Sequence, residues 1–152
     1  MAGFSTFTPP TETQLLHPFA LPDHEGQPYD IGALRQHYNL VLCFVREIRS
    51  TVAEFLRGLA AVSAEVAELE AKVVVVVPGS PARGASFRRE LGLPFQVLCD
   101  EQGSLVDAFC GESLAVYVTD RFLEVFLAVR DADVGLDKVL SRLRLIELQC
   151  PE

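Results

Sequence analysis

The chain has 152 residues, 49% of them hydrophobic and 22% charged, and its formal net charge is −8 from 21 acidic and 13 basic residues. This length and composition indicate one globular domain with a core of ordinary size and exclude a largely disordered or fibrous chain. The acidic balance, without a dense cluster of Lys and Arg, argues against nucleic acid as a partner. The longest uncharged apolar runs, residues 40–45 and 73–77, are far shorter than the roughly 20 residues of a membrane span, so we expect no membrane association.

Signals for export or metal binding are not visible in the sequence. The first residues, MAGFSTFTPPTETQ, lack the basic and apolar regions of a secretory signal, so we expect a cytoplasmic protein. The three histidines have no spacing typical of a common metal site, and the cysteines form no CxxC motif. We therefore expect neither a metal nor another cofactor. The four cysteines are Cys43, Cys99, Cys110 and Cys150.

The chain is predicted to begin with an arm, residues 1–16, and to continue as a single domain over residues 17–152. The arm is rich in Thr, Pro and Ser, and Pro9 with Pro10 excludes a helix, so we expect it to be flexible or loosely packed. The domain then opens with a module of short elements. Its predicted parts are an extended piece from His17, a turn over 23–26, a short strand at 28–29 and a helical turn through Leu34.

Two continuous apolar runs, residues 40–45 and 73–77, are typical of strands buried on both faces of a parallel sheet. The segment between them is predicted to be a helix, and Thr51 with Glu54 forms a capping box at its start. The three elements make a strand–helix–strand unit that is right-handed by topology. Apolar residues recur at helical spacing in the predicted helix, namely Val52, Phe55, Leu56, Leu59, Val62, Val66 and Leu69.

The second half of the chain is predicted to add helices and a hairpin. Ser80 caps a helix that has Pro81 in its first turn and ends at Gly92. The remaining predicted elements are a strand at 95–99, a turn at 100–103, a helix at 104–109, hairpin strands at 115–119 and 123–129, and a last helix at 134–148. This order predicts an α/β fold with a mixed central sheet flanked by helices.

Three phrases of the sequence carry a resemblance to a known family. FALPDHEGQPYDIGALRQHYNLVLCFV, ELGLPFQVLCDEQGSLVDAFCG and AVYVTDRFLEVF resemble segments of the peroxiredoxins of the alkyl hydroperoxide reductase/thiol-specific antioxidant (AhpC/TSA) group. The resemblance covers residues 17–148 and implies a thioredoxin-like fold, with thiol-dependent peroxidase activity as the activity of the family.

The sequence departs from that family at the residues that perform its chemistry. The family has a Thr-x-x-Cys motif at the start of the long helix and a glutamate three residues after the cysteine. Here the stretch reads VREIRSTVAEFL, and aligning Glu54 with that glutamate places Thr51 at the reactive cysteine and Ile48 at the threonine. In the loop before the hairpin, Leu114 stands where relatives have an arginine or a cis-proline. The resemblance therefore implies a catalytically degenerate protein with a binding or regulatory role, acting through a protein partner, a small ligand or a homodimer.

The cysteines leave an alternative open. Cys43 lies inside an apolar strand and is predicted to be a buried structural residue. Cys99 and Cys110 lie at element ends, where we expect partial exposure, and a structural role is the preferred interpretation for both. The competing hypothesis is an atypical thiol oxidoreductase in which Cys99 or Cys110, singly or as a disulfide pair, performs the redox chemistry. Cys150 is assigned no function.

The loop before the long helix is also a candidate anion site. Arg46 and Arg49 flank it, and free backbone N–H groups are expected near Ser50 and Thr51. Glu47 opposes an anion at this place, so a solvated charge cluster is the preferred interpretation.

Overall fold

Seven strands and five helices make up the structure, a computed structural model that describes residues 8–149. The strands are β1 (Ala20–Pro22), β2 (Pro28–Asp30), β3 (Asn39–Val45), β4 (Ala71–Pro78), β5 (Gln96–Asp100), β6 (Leu114–Thr119) and β7 (Val125–Arg130). The helices are α1 (Ser50–Ala61), α2 (Ser63–Glu68), α3 (Pro81–Leu91), α4 (Ser104–Phe109) and α5 (Leu136–Gln149). Short 3-10 turns cover Ile31–Leu34 and Asp131–Asp133. Across residues 8–149 no helix has both the length and the apolar character needed to cross a membrane.

The central sheet has the strand order β5-β4-β3-β6-β7, and β1 and β2 form a separate antiparallel pair. The predicted parallel neighbours β3 and β4 are confirmed, and β6 joins β3 from the other side in antiparallel orientation. Every residue of β3 is buried, because the strand has neighbours on both edges and packed layers on both faces. The predicted α/β fold with a mixed central sheet is therefore confirmed.

The side chains of β3 alternate between two apolar layers. Val41, Cys43 and Val45 join a layer that α1, α3 and α5 cover, with Leu56, Phe87 and Leu143 among its buried residues. On the opposite face, a second layer contains Leu40, Leu42 and Phe44 together with Leu105 and Phe109 of α4. Both faces of the sheet are thus covered, one by helices and the other by α4 together with residues of the N-terminal segment such as Leu16 and Ile31.

Helix α3 begins and ends as its sequence predicts. Ser80 is extended and its Oγ accepts a hydrogen bond from Arg83 N at 3.3 Å, while Pro81 occupies the first turn. Gly92 ends the helix in the left-handed conformation, with φ of 64°, which glycine adopts without steric cost.

The predicted capping box at Thr51 is wrong, and so is the single helix that was expected to follow it. The backbone at Arg49 is already in the extended cap conformation, so α1 begins at Ser50 and places Thr51 inside the first turn. Arg49 makes no cap hydrogen bond with its side chain. The chain leaves the helical conformation at Val62 and resumes as α2. The apolar spacing continues across this break because both helices pack on the same face of the sheet.

The end of the predicted arm is attached to the domain. Thr13 N donates to Val125 O at 2.9 Å, and Leu16 N donates to Leu123 O at 2.7 Å. Leu16 is only 2% exposed, and its side chain belongs to the layer that contains Phe44. Packing therefore begins before residue 17, because this segment satisfies backbone groups at the start of the edge strand β7. Residues 1–7 lie outside the described residues, and the predicted flexibility of the arm stays a prediction there.

Candidate functional site

The loop between β3 and α1 meets the start of β6 at one end of the sheet. Leu114, the first residue of β6, is paired with Val45, the last residue of β3, and is 3% exposed. Thr51 is exposed in the first turn of α1, and Thr51 and Leu114 line one cavity of about 600 Å³. Ile48 is 54% exposed and lines a different cavity. Of Ile48, Thr51 and Leu114, the three positions singled out from the sequence, the structure thus brings two together.

The cavity beside Thr51, which we call the Thr51 cavity, has an apolar floor and an acidic rim. Val52, Phe55 and Leu136 are among its apolar lining residues. Its charged lining residues are Arg49, Glu54, Glu112 and Asp131. Three carboxylates against one guanidinium give surroundings that disfavour a thiolate, which needs cationic neighbours.

Asp131 fixes the loop that carries Leu114. Its Oδ2 accepts a hydrogen bond from Glu112 N at 2.9 Å, and its Oδ1 accepts from Ser113 N at 2.9 Å and from Leu114 N at 3.2 Å. Partial burial opposes ionisation of this carboxyl, but the backbone N–H groups of residues 112–114 outweigh it and lower its pKa. No cis peptide bond occurs within residues 8–149, so a hydrogen-bonded carboxylate, rather than a cis-proline, shapes this wall of the cavity.

Sequence reasoning missed Asp131. The only local signal is the segment Asp131–Asp133, which follows the hairpin and contains two acidic residues. The contact depends on the return of β7 alongside β6, which places Asp131 opposite a loop 17 to 19 residues earlier in the chain. Asp131 also has a positive φ of 50°, a conformation that aspartate tolerates better than most residues.

The candidate anion site is not assembled as a common pocket. Arg46 Nη1 lies 2.6 Å from Asp107 Oδ1, and its Nε donates to Gly111 O at 3.1 Å. Arg49 lies 2.9 Å from a carboxylate oxygen of Glu47. The two guanidinium groups line different cavities, Arg49 beside Thr51 and Arg46 beside Ile48. Each arginine therefore has a carboxylate partner on the surface, and an anion site at this loop stays a prediction.

The three described cysteines are buried. Cys43 is 0% exposed as predicted, and burial raises its pKa to about 12. The expected partial exposure of Cys99 and Cys110 is wrong, because they are 0% and 7% exposed. Burial, followed by the charges of Asp23 and Glu101, raises the pKa of Cys99 to about 11. Burial likewise raises the pKa of Cys110.

Cys99 and Cys110 also lie on opposite faces of the sheet. Cys99 Sγ packs beneath Gly84 of α3, whereas Cys110 Sγ donates to Phe44 O at 3.3 Å in the layer that α4 covers. All three described cysteines are free thiols. The sheet between Cys99 and Cys110 separates the two members of the hypothetical disulfide pair. Within the described part of the chain, no three His, Cys, Asp or Glu side chains are grouped to hold a metal ion.

This burial predicts slow thiol chemistry in the folded protein. In a Cys150→Ser variant, which removes the cysteine outside the described residues, a thiol-reactive dye at pH 8 is expected to label the remaining three cysteines only after addition of denaturant. Burial keeps the dye away from the sulfur atoms, and the raised pKa values lower the fraction of each thiol that is ionised and reactive. Absorbance and intact mass before and after unfolding measure the labelling. Rapid labelling of a whole equivalent in the folded protein would contradict the assignment.

Comparison with solved structures places this architecture in a class. The chain is similar in structure to peroxidoxin BcpB from Mycobacterium tuberculosis, with a TM-score of 0.77, 21% identity and coverage of 89% of this chain and 97% of that one. It is also similar to a mutant of peroxiredoxin 6 of Arenicola marina, with a TM-score of 0.78, 12% identity and coverage of 93% and 76%. These likenesses define a thioredoxin-like fold, as predicted.

The sequence comparison is more specific. The model of the AhpC/TSA family matches residues 13–120, and the chain belongs to this family. The bacterioferritin comigratory protein of Xanthomonas campestris is a further structural neighbour, with a TM-score of 0.70, 19% identity and coverage of 84% of this chain and 90% of that one. No curated protein matches the chain in sequence. The resemblance stated from the sequence phrases is thus confirmed.

Proposed function

We propose that this protein is a member of the AhpC/TSA family without thiol peroxidase activity, and that its scaffold serves a binding or regulatory role. One observation carries the proposal: the exposed side chain at the start of α1, where the resemblance puts the reactive cysteine, is Thr51. Peroxide reduction needs a thiolate that is oxidised and then reduced again, and a hydroxyl group has no corresponding reversible oxidation.

The surroundings of Thr51 support the loss of this chemistry. The acidic rim of the Thr51 cavity would raise the pKa of a thiol rather than lower it. The three described cysteines offer no substitute, because all are buried and their pKa values are raised. The competing hypothesis of a relocated redox cysteine at Cys99 or Cys110 therefore loses its support.

The binding role is supported by the shape of the same end of the sheet. The Thr51 cavity has a volume of about 600 Å³, within the range of small-molecule sites, and combines apolar and charged lining residues. Under this proposal the chain binds a small ligand, a protein partner or a second copy of itself. Its net charge of −8 argues against nucleic acid as the partner.

Peroxide consumption with a thiol reductant tests the proposal. The wild type is expected to show no turnover above the uncatalysed rate and no change of intact mass after exposure to peroxide. Turnover that disappears in one of the variants Cys43→Ser, Cys99→Ser or Cys110→Ser would overturn the proposal and identify the redox cysteine.

A matched variant restores the missing thiol. In a Cys150→Ser background, Thr51→Cys is expected to react with iodoacetamide at pH 7 at least tenfold faster than any cysteine of the parent, because the new side chain is exposed whereas Cys43, Cys99 and Cys110 are buried. Mass spectrometry after partial alkylation and proteolysis locates the label. Equal reactivity of the parent and the variant would contradict the assigned place of Thr51.

A further inference from the structure

A second cavity lies outside the ends of the parallel strands β3 and β4, between the loop that follows β3 and helix α3. Its volume is about 540 Å³, and it shares no lining residue with the Thr51 cavity. Ends of parallel strands are where α/β folds commonly bind ligands, because the connecting loops diverge there. We call it the α3 cavity; its lining consists of Val45, Arg46, Ile48, Val77, Pro78, Ala82, Arg83, Ser86, Phe87 and Glu90.

The floor of the α3 cavity is apolar. Val77 and Phe87 are 5% and 6% exposed and present buried hydrocarbon from the sheet and from α3. Ile48 also lines the cavity and is 54% exposed. A ligand with an apolar body would rest on the buried floor, and its gain would come mainly from covering the exposed side chain of Ile48.

The charges of the α3 cavity are arranged along its length. Arg83 makes no ion pair with any described residue, whereas Arg46 is already paired with Asp107. Arg83, Phe87 and Glu90 follow one another along one face of α3, so Arg83 and Glu90 lie about 10 Å apart along the helix axis. An anionic head group therefore has one unpaired partner, at Arg83, while Glu90 repels a second negative charge at the far end.

We propose that the α3 cavity binds a monocarboxylate with an apolar body. The carboxylate pairs with the guanidinium of Arg83, whose forked N–H groups match its two oxygens, and the apolar body lies over Phe87 and against Ile48. A single carboxylate is favoured over a phosphate because Arg83 is the one unpaired cation of the described lining and Glu90 adds a negative charge. This assignment deepens the proposed binding role and rests on it, but it uses none of the residues of the Thr51 cavity.

Calorimetric titration of the full chain with decanoate, below the concentration at which decanoate forms micelles, tests the proposal. Saturable binding is expected with one site per chain, together with at least tenfold weaker binding of decanol and no binding of inorganic phosphate. The difference between decanoate and decanol measures the charge-assisted hydrogen bonds to Arg83. Equal binding of decanoate and decanol, or no saturable binding of decanoate, would overturn the proposal.

Three variants locate the site. Arg83→Gln is expected to weaken decanoate binding roughly tenfold while leaving decanol unaffected, and Ile48→Ser is expected to weaken both. Arg57→Gln is the matched control, because it also removes one exposed arginine but lies on α1 and lines neither cavity. Amide shifts in an NMR titration should move at Ile48, Gly79 and Arg83. Shifts confined to Thr51 and Leu114, or an Arg83→Gln variant that binds like the wild type, would overturn the assignment.

The outcome is independent of the peroxidase experiment. A wild type that consumes peroxide through a cysteine would remove the proposed function even if decanoate binds in the α3 cavity. Absence of decanoate binding with no peroxide turnover would remove only the ligand assignment.

Discussion

Gly84→Ala is expected to lower the free energy of unfolding by about 2 kcal/mol, the cost of forcing a methyl group into a filled core. A Cβ at Gly84 would lie 2.5 Å from Cys99 Sγ and 3.5 Å from Val97 Cγ1. Both neighbours belong to the buried strand β5 and are 0% exposed, so α3 or the strand must shift. The sign of the change in unfolding free energy distinguishes two effects. Alanine favours a helix over glycine by about 1 kcal/mol, so without the close contact the substitution would stabilise the protein. Urea denaturation of both proteins measures the difference.

A double-mutant cycle assigns this cost to the contact with Cys99. Cys99→Ala removes the sulfur that the new methyl group would meet, so Gly84→Ala should cost at least 1 kcal/mol less in that background. Gly58→Ala in α1 is the control, because a Cβ there meets only Leu136 Cδ2, at an ordinary 3.6 Å. That variant is expected to be neutral or stabilising. Equal effects of the two glycine variants would contradict the close packing of α3 on β5.

The same contact explains why the exposure of Cys99 could not be predicted. Its neighbours in sequence, Asp100 and Glu101, are acidic and suggest a surface position. Burial comes from α3, which approaches the strand closely because residue 84 has no side chain. The sequence next to Cys99 does not indicate this contact, because Gly84 and Cys99 are 15 positions apart. A structural role remains the preferred interpretation of Cys99, and the reason for it is the packing of α3 against the strand.

The fold itself could be predicted because its signals are local. The continuous apolar runs of β3 and β4 predict strands buried on both faces, and Ser80, Pro81 and Gly92 mark the ends of α3 within the segment itself. The candidate site could be predicted only in part. The position of Thr51 at the start of α1 is predicted by its sequence phrase, but the predicted capping box is wrong because a Thr–Glu spacing does not show at which residue the helix begins.

The charges of the site depend on contacts that sequence spacing does not encode. Arg46 pairs with Asp107, 61 residues later, and Arg49 approaches Glu112 at 3.9 Å. Two arginines near a helix start therefore suggested an anion site that their carboxylate partners oppose. Ile48 and Thr51 line different cavities although they are only three positions apart in the sequence. They lie at the junction of β3 and α1, and their side chains lie on different sides of it.

Asp131→Ala is expected to lower the free energy of unfolding at pH 7 by about 2 kcal/mol, because the N–H groups of residues 112–114 lose a charged acceptor. Asp131→Asn should lose part of this, since one of its two side-chain groups becomes a donor facing N–H groups. The effect must depend on pH. Folding lowers the pKa of Asp131 below its ordinary value of 3.8, so its stabilisation is present above that value and is lost as the pH falls through the folded pKa.

Denaturation of the wild type and of Asp131→Asn at pH 7 and at successively lower pH measures this dependence. The difference in free energy of unfolding should shrink below about pH 4, where the wild-type carboxyl begins to take up a proton. Asp133→Asn is the control, because Asp133 lies exposed in the same 3-10 turn. Its backbone oxygen accepts a hydrogen bond from Lys138, whereas its carboxylate takes part in none of the described hydrogen bonds. A difference that stays constant with pH would show that the Asp131 carboxylate does not hold the loop.

Loss of the hydrogen bonds to this loop should also change the Thr51 cavity, because residues 112–114 and Asp131 form one of its walls. The carboxylate of Asp131 therefore has a structural role in this wall, since it binds the N–H groups of residues 112–114.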